Sequence, residues 1–243
     1  MRLVLLSLLL LATGADAGEA DVRAMLAREF PAVKVQSIAV SELPGFLEVA
    51  AGGQVLFVST DGRFVVDGTV IDTATKRNLT VDKEESLSRV SWSDLPLDLA
   101  IKTVRGDGRR VLATFEDPHC GYCRKLSGDL AGMTNFTLYT FMYPILSDKS
   151  TRSVNAVWCA QDREGAWSQL MREGIESATP DGCRAPREEL LALGRKLRIE
   201  GTPTIFFADG SRAVGYLPPD KLAARLNSSH ARVGAAGRHA IPQ

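Results

Sequence analysis

The spacing of apolar residues divides the chain into two regions with different patterns. In the first region, apolar residues recur at helical spacing between Val22 and Phe30, and Pro31 follows, which predicts a short amphipathic helix. Four strand-like runs come next, at residues 33–40, 46–50, 54–59 and 64–70. The last two runs are joined through Asp61-Gly62, a pair typical of tight hairpins. These elements predict a small α+β domain over residues 18–77.

A charged, helix-favouring stretch follows this domain. Asp82, Lys83 and Glu84 are among its charged residues, Leu87 contributes to an apolar side, and Pro96 ends it. We interpret residues 78–97 as a linker helix between two domains. A surface helix inside a single domain is the alternative.

The second region alternates strand and helix patterns and predicts an α/β domain over residues 98–227. Its predicted strands lie at residues 99–104, 111–115, 137–143, 204–207 and 213–216, and its predicted helices at 120–130, 147–171, 187–197 and 219–226. This order is typical of helices packed on a mixed sheet. Residues 228–243, rich in Ala, Gly, Ser and Arg, are predicted to form a disordered tail.

The N-terminal 17 residues have the three parts of a secretory signal. Arg2 precedes a ten-residue apolar stretch at 3–12, and Ala15 and Ala17 form a small-x-small cleavage site. The stretch is about half the length that a membrane-spanning helix needs. We therefore predict cleavage after Ala17 and export to an oxidising compartment, with a buried helix or an uncleaved anchor as the alternative.

Composition narrows the possible functions. The chain has 243 residues, 45% hydrophobic and 24% charged, with 29 Lys+Arg, 29 Asp+Glu and four Cys. These values exclude a disordered polar protein, a collagen-like repeat and a cysteine-dense scaffold, and the zero net charge argues against a nucleic-acid partner. The N-terminal domain has no cysteine and is small for an independent core, so we expect it to form a dimer.

Cys120 and Cys123 form a Cys-x-x-Cys pair after an apolar strand and at the start of a predicted helix. A sulfur at a helix N-terminus is favoured as a thiolate, the nucleophile of disulfide exchange. The second sulfur, one turn away, can then attack the mixed disulfide. We predict that Cys120 attacks and Cys123 resolves. One alternative is a zinc site, which typically needs two such pairs, whereas the other two cysteines of the chain are 24 positions apart. The other is a structural disulfide, which gains little from so short a loop.

Cys159 and Cys183 are 24 positions apart and suit a structural disulfide. Closing a loop of that length stabilises a fold by about 3 to 4 kcal/mol. A second redox-active pair is the alternative.

Three further features of the sequence could contribute to the chemistry of these cysteines. Pro203 precedes an apolar strand and could be cis, which would free the preceding backbone to pair with a peptide, or an ordinary trans residue. His119 could add positive charge beside Cys120 or be an exposed loop residue without a role. Either Glu116 or Asp117 could accept the proton of Cys123.

These motifs together resemble the thioredoxin fold and, more narrowly, the periplasmic disulfide isomerases of the DsbC type. The resemblance covers nearly all of the chain after the signal, and it includes an N-terminal domain similar to that family's dimerisation domain. One departure is Pro118-His119 before Cys120, where a Thr is more usual, and it bears on the acidity of the thiol. The matching features are Cys120-Gly121-Tyr122-Cys123 followed by Arg124-Lys125-Leu126, Gly201-Thr202-Pro203, Trp158-Cys159-Ala160, Cys183, and Gly215-Tyr216 before Pro218-Pro219.

The resemblance implies a function and a set of roles. It makes Cys120 the nucleophile, Cys123 the resolving thiol, Pro203 a cis-proline, and Thr202, Pro203 and Tyr122 contacts for substrate. It makes Cys159 and Cys183 the structural disulfide. It also implies a homodimer that binds misfolded exported proteins in the periplasm, a membrane thiol reductase as electron donor, and no metal or other cofactor. A dithiol oxidase and a holdase-type chaperone are the alternative functions.

Overall fold

A computed structural model describes residues 18–235 of the chain. The predicted signal peptide, residues 1–17, lies outside the described residues. The chain divides into two compact units between Ser88 and Arg89, which falls inside the segment 78–97 that the sequence assigns to a linker.

The first unit contains one four-stranded antiparallel sheet and two helices. The sheet order is β1-β2-β3-β4. Val22 and Leu26 of the first helix are buried against Val49 and Val58 of the sheet, as the helical spacing of those apolar residues predicts. The elements of this unit are α1 (Glu19–Glu29), β1 (Val35–Val40), β2 (Phe46–Ala51), β3 (Gln54–Ser59), β4 (Val65–Asp67) and α2 (Leu79–Leu87).

Helix α2 is shorter than the predicted linker helix, and it packs on its own unit. It begins after Asn78, whose side chain accepts a hydrogen bond from the Val81 N–H, and it ends at Leu87. Leu79 packs with Phe57 of β3. The prediction of one helix to residue 95 was wrong because serines interrupt the stretch: the Ser88 hydroxyl bonds the backbone near the helix end. Two short 3₁₀ turns, Trp92–Asp94 and Leu97–Leu99, follow instead.

The second unit is built on a five-stranded mixed sheet with helices on both faces. The sheet order is β5-β7-β6-β8-β9; β6 and β7 are parallel, and the other neighbouring pairs are antiparallel. The elements are β5 (Ile101–Arg105), β6 (Arg110–Glu116), α3 (Gly121–Ala131), β7 (Phe136–Met142), α4 (Asp148–Trp158), α5 (Arg163–Glu173), α6 (Arg187–Lys196), β8 (Thr204–Phe207), β9 (Arg212–Val214) and α7 (Pro219–Ala235).

Two helical predictions in this unit differ from the structure. The predicted helical region 147–171 is two helices. Helix α4 ends at Trp158, and Asp162 is the N-cap residue of α5, because its side chain accepts a hydrogen bond from the Gly165 N–H. Helix α7 continues to Ala235, so the disordered tail predicted from residue 228 was wrong for residues 228–235. Ser229 and Arg232 hold this extension through hydrogen bonds with Asp209. Residues 236–243 lie outside the described residues.

The alternation along β6 positions the functional region. Phe115 points to the face covered by α6, where it packs in one cluster with Leu190. Leu112 points to the opposite face and packs with Leu126 of α3. Because successive side chains alternate across a sheet, Glu116 at the end of β6 lies on the α3 side. The loop after β6 leads directly into α3, which places the dithiol at the carboxyl end of this central strand.

Candidate active site

Cys120 occupies the N-cap position of α3. Its sulfur accepts a hydrogen bond from the Cys123 N–H, with 3.4 Å between nitrogen and sulfur. The Cys120 thiol donates to the Thr202 carbonyl, with 3.3 Å between sulfur and oxygen. The sulfur thus lies where the free N–H groups of a helix begin, an arrangement that stabilises an anion.

Cys123 is also a free thiol, but it is fully buried, whereas Cys120 is 8% exposed. Burial raises the pKa of Cys123 far above its usual range, and the charge of Glu116 adds to this shift. The two thiols therefore differ in access to solvent. Cys120 can meet an incoming disulfide, and Cys123 stays protonated behind it.

The peptide bond between Thr202 and Pro203 is cis, as the family resemblance implies. Pro203 directly precedes β8, and its carbonyl accepts a hydrogen bond from the Gly215 N–H. The turn brings the Thr202 carbonyl to the Cys120 sulfur although the two residues are 82 positions apart. The structure thus joins two motifs that the sequence shows only as separate segments.

Asp117 organises the loops around the dithiol. Its carboxylate accepts hydrogen bonds from the His119 N–H and the Ser150 hydroxyl at one oxygen, and from the Ile145 and Leu146 N–H groups at the other. Four donors saturate this fully buried carboxylate. Asp117 therefore fixes the loop after β7 and the start of α4, and no lone pair is left for the Cys123 proton.

Hydrogen bonds connect His119 to two other segments of the chain. Its Nε2 lies 2.9 Å from the Ser153 hydroxyl of α4, and that hydroxyl donates to Glu176 Oε1 at 2.8 Å. Burial and the positive charges of Lys149 and Arg124 lower the pKa of His119, against the opposing effect of nearby carboxylates. Sequence reasoning missed Ser153 and Glu176, because neither belongs to a motif and only the fold brings them to His119.

Glu116 lies fully buried on the α3 side of β6. The Thr114 hydroxyl donates to its Oε1 at 2.6 Å, while no described protein group donates to Oε2. Burial raises the pKa of Glu116 to about 7, although the Thr114 hydrogen bond opposes the shift. A carboxyl group of this kind can change its protonation near neutral pH.

Apolar side chains are exposed next to the dithiol. Tyr122, within the Cys-x-x-Cys motif, is 65% exposed and stacks on Tyr216 with 6.3 Å between ring centroids. Ile145 and Leu146, which Asp117 holds through their backbone, are exposed too, as is Ile175 beside Glu176. Exposed apolar groups of this size close to a reactive site are typical of protein-binding surfaces.

Cys159 and Cys183 form a disulfide with 6.0 Å between their Cα atoms, as predicted. The bond joins the residue after α4 to the loop before α6, and Asn155 adds a second link by accepting the Ala185 N–H. Cys120 and Cys123 remain as the unpaired cysteines.

Both units match known protein families. The family of thioredoxin-like domains matches residues 97–230, and the family described as the disulfide bond isomerase protein N-terminal domain matches residues 13–81. No helix among the described residues has the length and apolar character to cross a membrane.

Individual relatives agree with these matches. A probable thiol:disulfide interchange protein DsbC from Bordetella parapertussis is 48% identical over 75% of this chain and 65% of its own length, so this chain spans just under two thirds of that relative's length. The thiol:disulfide interchange protein DsbC of Escherichia coli is 25% identical over 86% of this chain and 87% of its own length. The crystal structure of a disulfide interchange protein from Neisseria gonorrhoeae is 37% identical, with a TM-score of 0.51, and the match covers 56% of this chain and 99% of that one. This chain belongs to the thioredoxin-like family of disulfide interchange proteins, and its first unit matches the N-terminal domain of the disulfide bond isomerases.

Proposed function

We propose that this protein isomerises and reduces incorrect disulfides in misfolded exported proteins. The observation that carries the proposal is the position of Cys120, which caps α3, contacts the Thr202 carbonyl beside the cis Pro203, and has the buried thiol of Cys123 behind it. A nucleophile with a resolving partner within one helical turn suits thiol–disulfide exchange.

The reaction begins when the Cys120 thiolate attacks one sulfur of a substrate disulfide. A Cys120–substrate disulfide forms, the substrate S–S bond breaks, and the second substrate sulfur leaves as a thiolate. That thiolate can attack another substrate disulfide, which forms a new substrate S–S bond and frees a different substrate thiolate. When this thiolate attacks the substrate sulfur bonded to Cys120, a second new substrate disulfide forms and Cys120 leaves as a thiolate. Alternatively, Cys123 loses its proton and attacks Cys120, which leaves a Cys120–Cys123 disulfide and a reduced substrate.

Substrate contacts would come from the residues around Cys120. Thr202 and Pro203 offer backbone at the start of β8 to an extended peptide, and Tyr122 offers an exposed ring. Leu146 and Ile175 extend the apolar surface. Such a surface suits unfolded chains, which expose the apolar residues that a folded substrate buries.

We further propose a homodimer formed through the first unit. Strand β4 lies at an edge of its sheet, and Phe64, Val66 and Ile71 are exposed on or beside it. An edge with unpaired backbone groups and apolar side chains is suited to pairing with a second copy. Light scattering of the mature protein should give the mass of a dimer; a monomer at micromolar concentration would contradict this part of the proposal.

The proposal includes a location and an electron donor. The predicted signal at residues 1–17 directs the protein to the periplasm, where the dithiol must be kept reduced to act as an isomerase. A membrane thiol reductase would supply the electrons. Trapping free thiols in cells should find Cys120 and Cys123 mainly reduced; a mainly oxidised pair would instead identify a dithiol oxidase.

The direct test is reactivation of scrambled ribonuclease by the reduced protein. The wild type should restore ribonuclease activity, whereas Cys120→Ser should restore none because the attacking sulfur is lost. Cys123→Ser should retain part of the isomerisation, since that route does not need the second thiol. Absence of reactivation by the wild type, or equal reactivation by Cys120→Ser, would refute the proposal.

A holdase-type chaperone activity is the second candidate, and the exposed apolar residues around the dithiol favour it. Suppression of aggregation of a reduced client by the Cys120→Ser/Cys123→Ser variant would demonstrate it. Loss of suppression in that variant would limit the protein to exchange chemistry.

A further inference from the structure

Tyr216 belongs to the Gly215-Tyr216 motif, to which the proposed function gives no role. Strand β9 ends at Val214, and Gly215 has a φ of 87°, a left-handed conformation that favours glycine. The Gly215 N–H donates a hydrogen bond to the carbonyl of Pro203. Tyr216 therefore directly follows a residue that is bonded to the cis-proline, on one side of the dithiol.

Two side chains of α3 fix the Tyr216 ring. The Tyr216 hydroxyl donates to Asp129 Oδ2 at 2.6 Å, and Lys125 Nζ lies 4.7 Å from the centroid of the ring. Lys125 Nζ is also 3.8 Å from Asp129 Oδ2. A hydrogen bond with Tyr216 and the charge of Asp129 raise the pKa of Lys125, so its ammonium group stays charged beside the ring. The Tyr216 ring is thus held against α3 from two directions.

The ring of Tyr122 rests on this fixed ring. The two centroids are 6.3 Å apart and the ring planes meet at 25°, which is the geometry of an offset stack. Tyr122 lies between the two cysteines in the first turn of α3, and it is 65% exposed in spite of the stack. Most of its surface is therefore available to a substrate, and Tyr216 limits the orientations that the ring can adopt.

The charges around the two rings indicate which substrate side chain suits them. Arg124 and Lys125 follow Tyr122 directly and are exposed in the same turn of α3. A Lys or Arg side chain of a substrate also binds tyrosine faces, but these two cations repel it. A carboxylate is disfavoured on the negative face of a ring. An uncharged aromatic side chain gains both stacking and burial of apolar surface.

We propose that the Tyr122 ring, held in place by Tyr216, selects substrates with an aromatic side chain next to the cysteine that Cys120 attacks. The inference rests on the proposed exchange function and adds a substrate preference to it. Tyr122 makes the contact, and Tyr216 is a positioning residue that acts through Tyr122. Large aromatic side chains are mostly buried in folded proteins, so the preference directs Cys120 to segments that have not folded.

The test compares the rates at which Cys120 attacks matched peptides. Each substrate is a symmetric disulfide of one short peptide, with Phe, Leu or Lys placed before or after its cysteine. The Cys120 thiolate attacks either peptide sulfur, a Cys120–peptide disulfide forms, and the second peptide leaves as a thiolate with the electron pair. All proteins carry Cys123→Ser, so the mixed disulfide accumulates and is measured by mass spectrometry after an acid quench. Each rate is divided by that of the same peptide with dithiothreitol, which removes differences in intrinsic reactivity.

The Phe peptide should react about 2- to 10-fold faster than the Leu peptide, the range expected for one aromatic pair. The Lys peptide should react more slowly than the Leu peptide. Tyr122→Ala should remove the preference for Phe, because the contact surface is lost. Tyr216→Leu, which keeps apolar bulk but neither the stack nor the hydrogen bond, should reduce the preference to a similar level.

Two further variants identify Tyr216 as a positioning residue. Tyr216→Phe keeps the ring and should retain more of the preference than Tyr216→Leu does. The Tyr122→Ala/Tyr216→Leu variant should lose no more than Tyr122→Ala alone, because Tyr216 acts through Tyr122. Phe30→Ala, which removes an exposed ring of the first unit, is the matched control and should keep the preference of the parent protein. A folding defect would slow the reaction with every peptide, whereas loss of the subsite changes the ratio between peptides.

Three results would overturn the inference. The first is equal normalised rates for the Phe and Leu peptides in the parent protein, and the second is a Lys peptide as fast as the Phe peptide. The third is a preference for Phe that Tyr216→Leu leaves unchanged. Any of these leaves the exchange chemistry standing, because Cys120 still reacts with the peptides. Absence of reaction with every peptide would instead refute the proposed function and the subsite together.

Discussion

The second unit contains two cysteine pairs whose surroundings differ in almost every respect. Cys120 and Cys123 are three residues apart and free, at the beginning of a helix and beside a buried carboxyl group. Cys159 and Cys183 are 24 residues apart and bonded, between the end of one helix and a loop. The first pair is positioned for thiol–disulfide exchange. The second pair closes a long loop, which is where a disulfide stabilises most.

This comparison shows that position, more than the presence of two cysteines, decides what a pair can do. A sulfur at a helix N-terminus meets unpaired N–H groups, whereas Cys159 follows the C-terminal end of α4, where the helix dipole disfavours a thiolate. Cys123 has the raised pKa that burial and Glu116 impose, so it is kept as a thiol until the mixed disulfide forms.

The largest expected effect separates the pairs by chemistry. Cys120→Ser should abolish attack on glutathione disulfide, because a hydroxyl is a far poorer nucleophile than a thiolate. The Cys159→Ser/Cys183→Ser variant should still form the mixed disulfide at a measurable rate. Mass spectrometry of the quenched reaction distinguishes the two variants. Loss of mixed-disulfide formation in a folded double variant would show that the second pair also takes part in exchange.

Removal of the long-loop disulfide should instead appear in stability. The Cys159→Ser/Cys183→Ser variant should lose about 3 to 4 kcal/mol of unfolding free energy, because the unfolded chain regains the entropy of an open loop. Urea unfolding followed by circular dichroism measures this change. The matched control is Cys120→Ser/Cys123→Ser, which opens no disulfide in the reduced protein and should change stability much less. Equal losses in the two variants would contradict the assignment.

Glu116 should give the fold a characteristic pH dependence. Its pKa is about 7 in the folded protein and 4.5 ordinarily, so the folded state binds the proton more tightly. The contribution to stability is fully present below about pH 4.5 and is lost as pH rises through 7, by at most about 3 kcal/mol.

The Glu116→Gln variant tests this sign. It should unfold at higher urea than wild type near pH 8, and the advantage should disappear at low pH, where both side chains are uncharged. Glu173→Gln, on the surface of α5, should show no such trend. A constant difference between Glu116→Gln and wild type across the pH range would contradict the buried titration.

Local patterns in the sequence were enough to predict most elements and both cysteine pairs. The strands of the first unit, the strand before Cys120 and the apolar strand at residues 204–207 depend on neighbouring residues, which is why they were predictable. The end of α2 and the length of α7 were not, because hydrogen bonds of Ser88 in one case and contacts with Asp209 in the other decided them.

The surroundings of the dithiol were predictable only in part. Motif spacing identified Cys120, Cys123 and Pro203, and the family resemblance supplied the cis peptide. The difference between Glu116 and Asp117 needed the fold, because the two carboxyl groups are adjacent in sequence and only the structure shows which groups donate hydrogen bonds to each. The contact of His119 with Ser153 joins residues 34 positions apart and leaves no local pattern.

The smallest expected effect tests whether the two pairs are independent. Glu176 lies in the loop that the Cys159–Cys183 disulfide closes, and it accepts a hydrogen bond from Ser153, whose hydroxyl contacts His119 next to Cys120. Since the Ser153 hydrogen goes to Glu176, the Ser153 oxygen accepts from His119 Nε2–H, which fixes the tautomer of the ring.

Because the pKa of His119 is lowered, protein stability should depend on pH in a way that reports on this contact. Its folded pKa lies below the ordinary 6.5, so stability should fall as pH drops through that range, because the unfolded chain takes up the proton first. Ser153→Ala should change the dependence of stability on pH, and it should shift the pH profile of Cys120 alkylation by iodoacetamide. Ser228→Ala, on the exposed side of α7, is the control. The Cys159→Ser/Cys183→Ser variant should shift the alkylation profile in the same direction as Ser153→Ala, because it releases the loop that carries Glu176. Unchanged profiles in both variants would show that the long-loop disulfide stabilises the fold without acting on the dithiol.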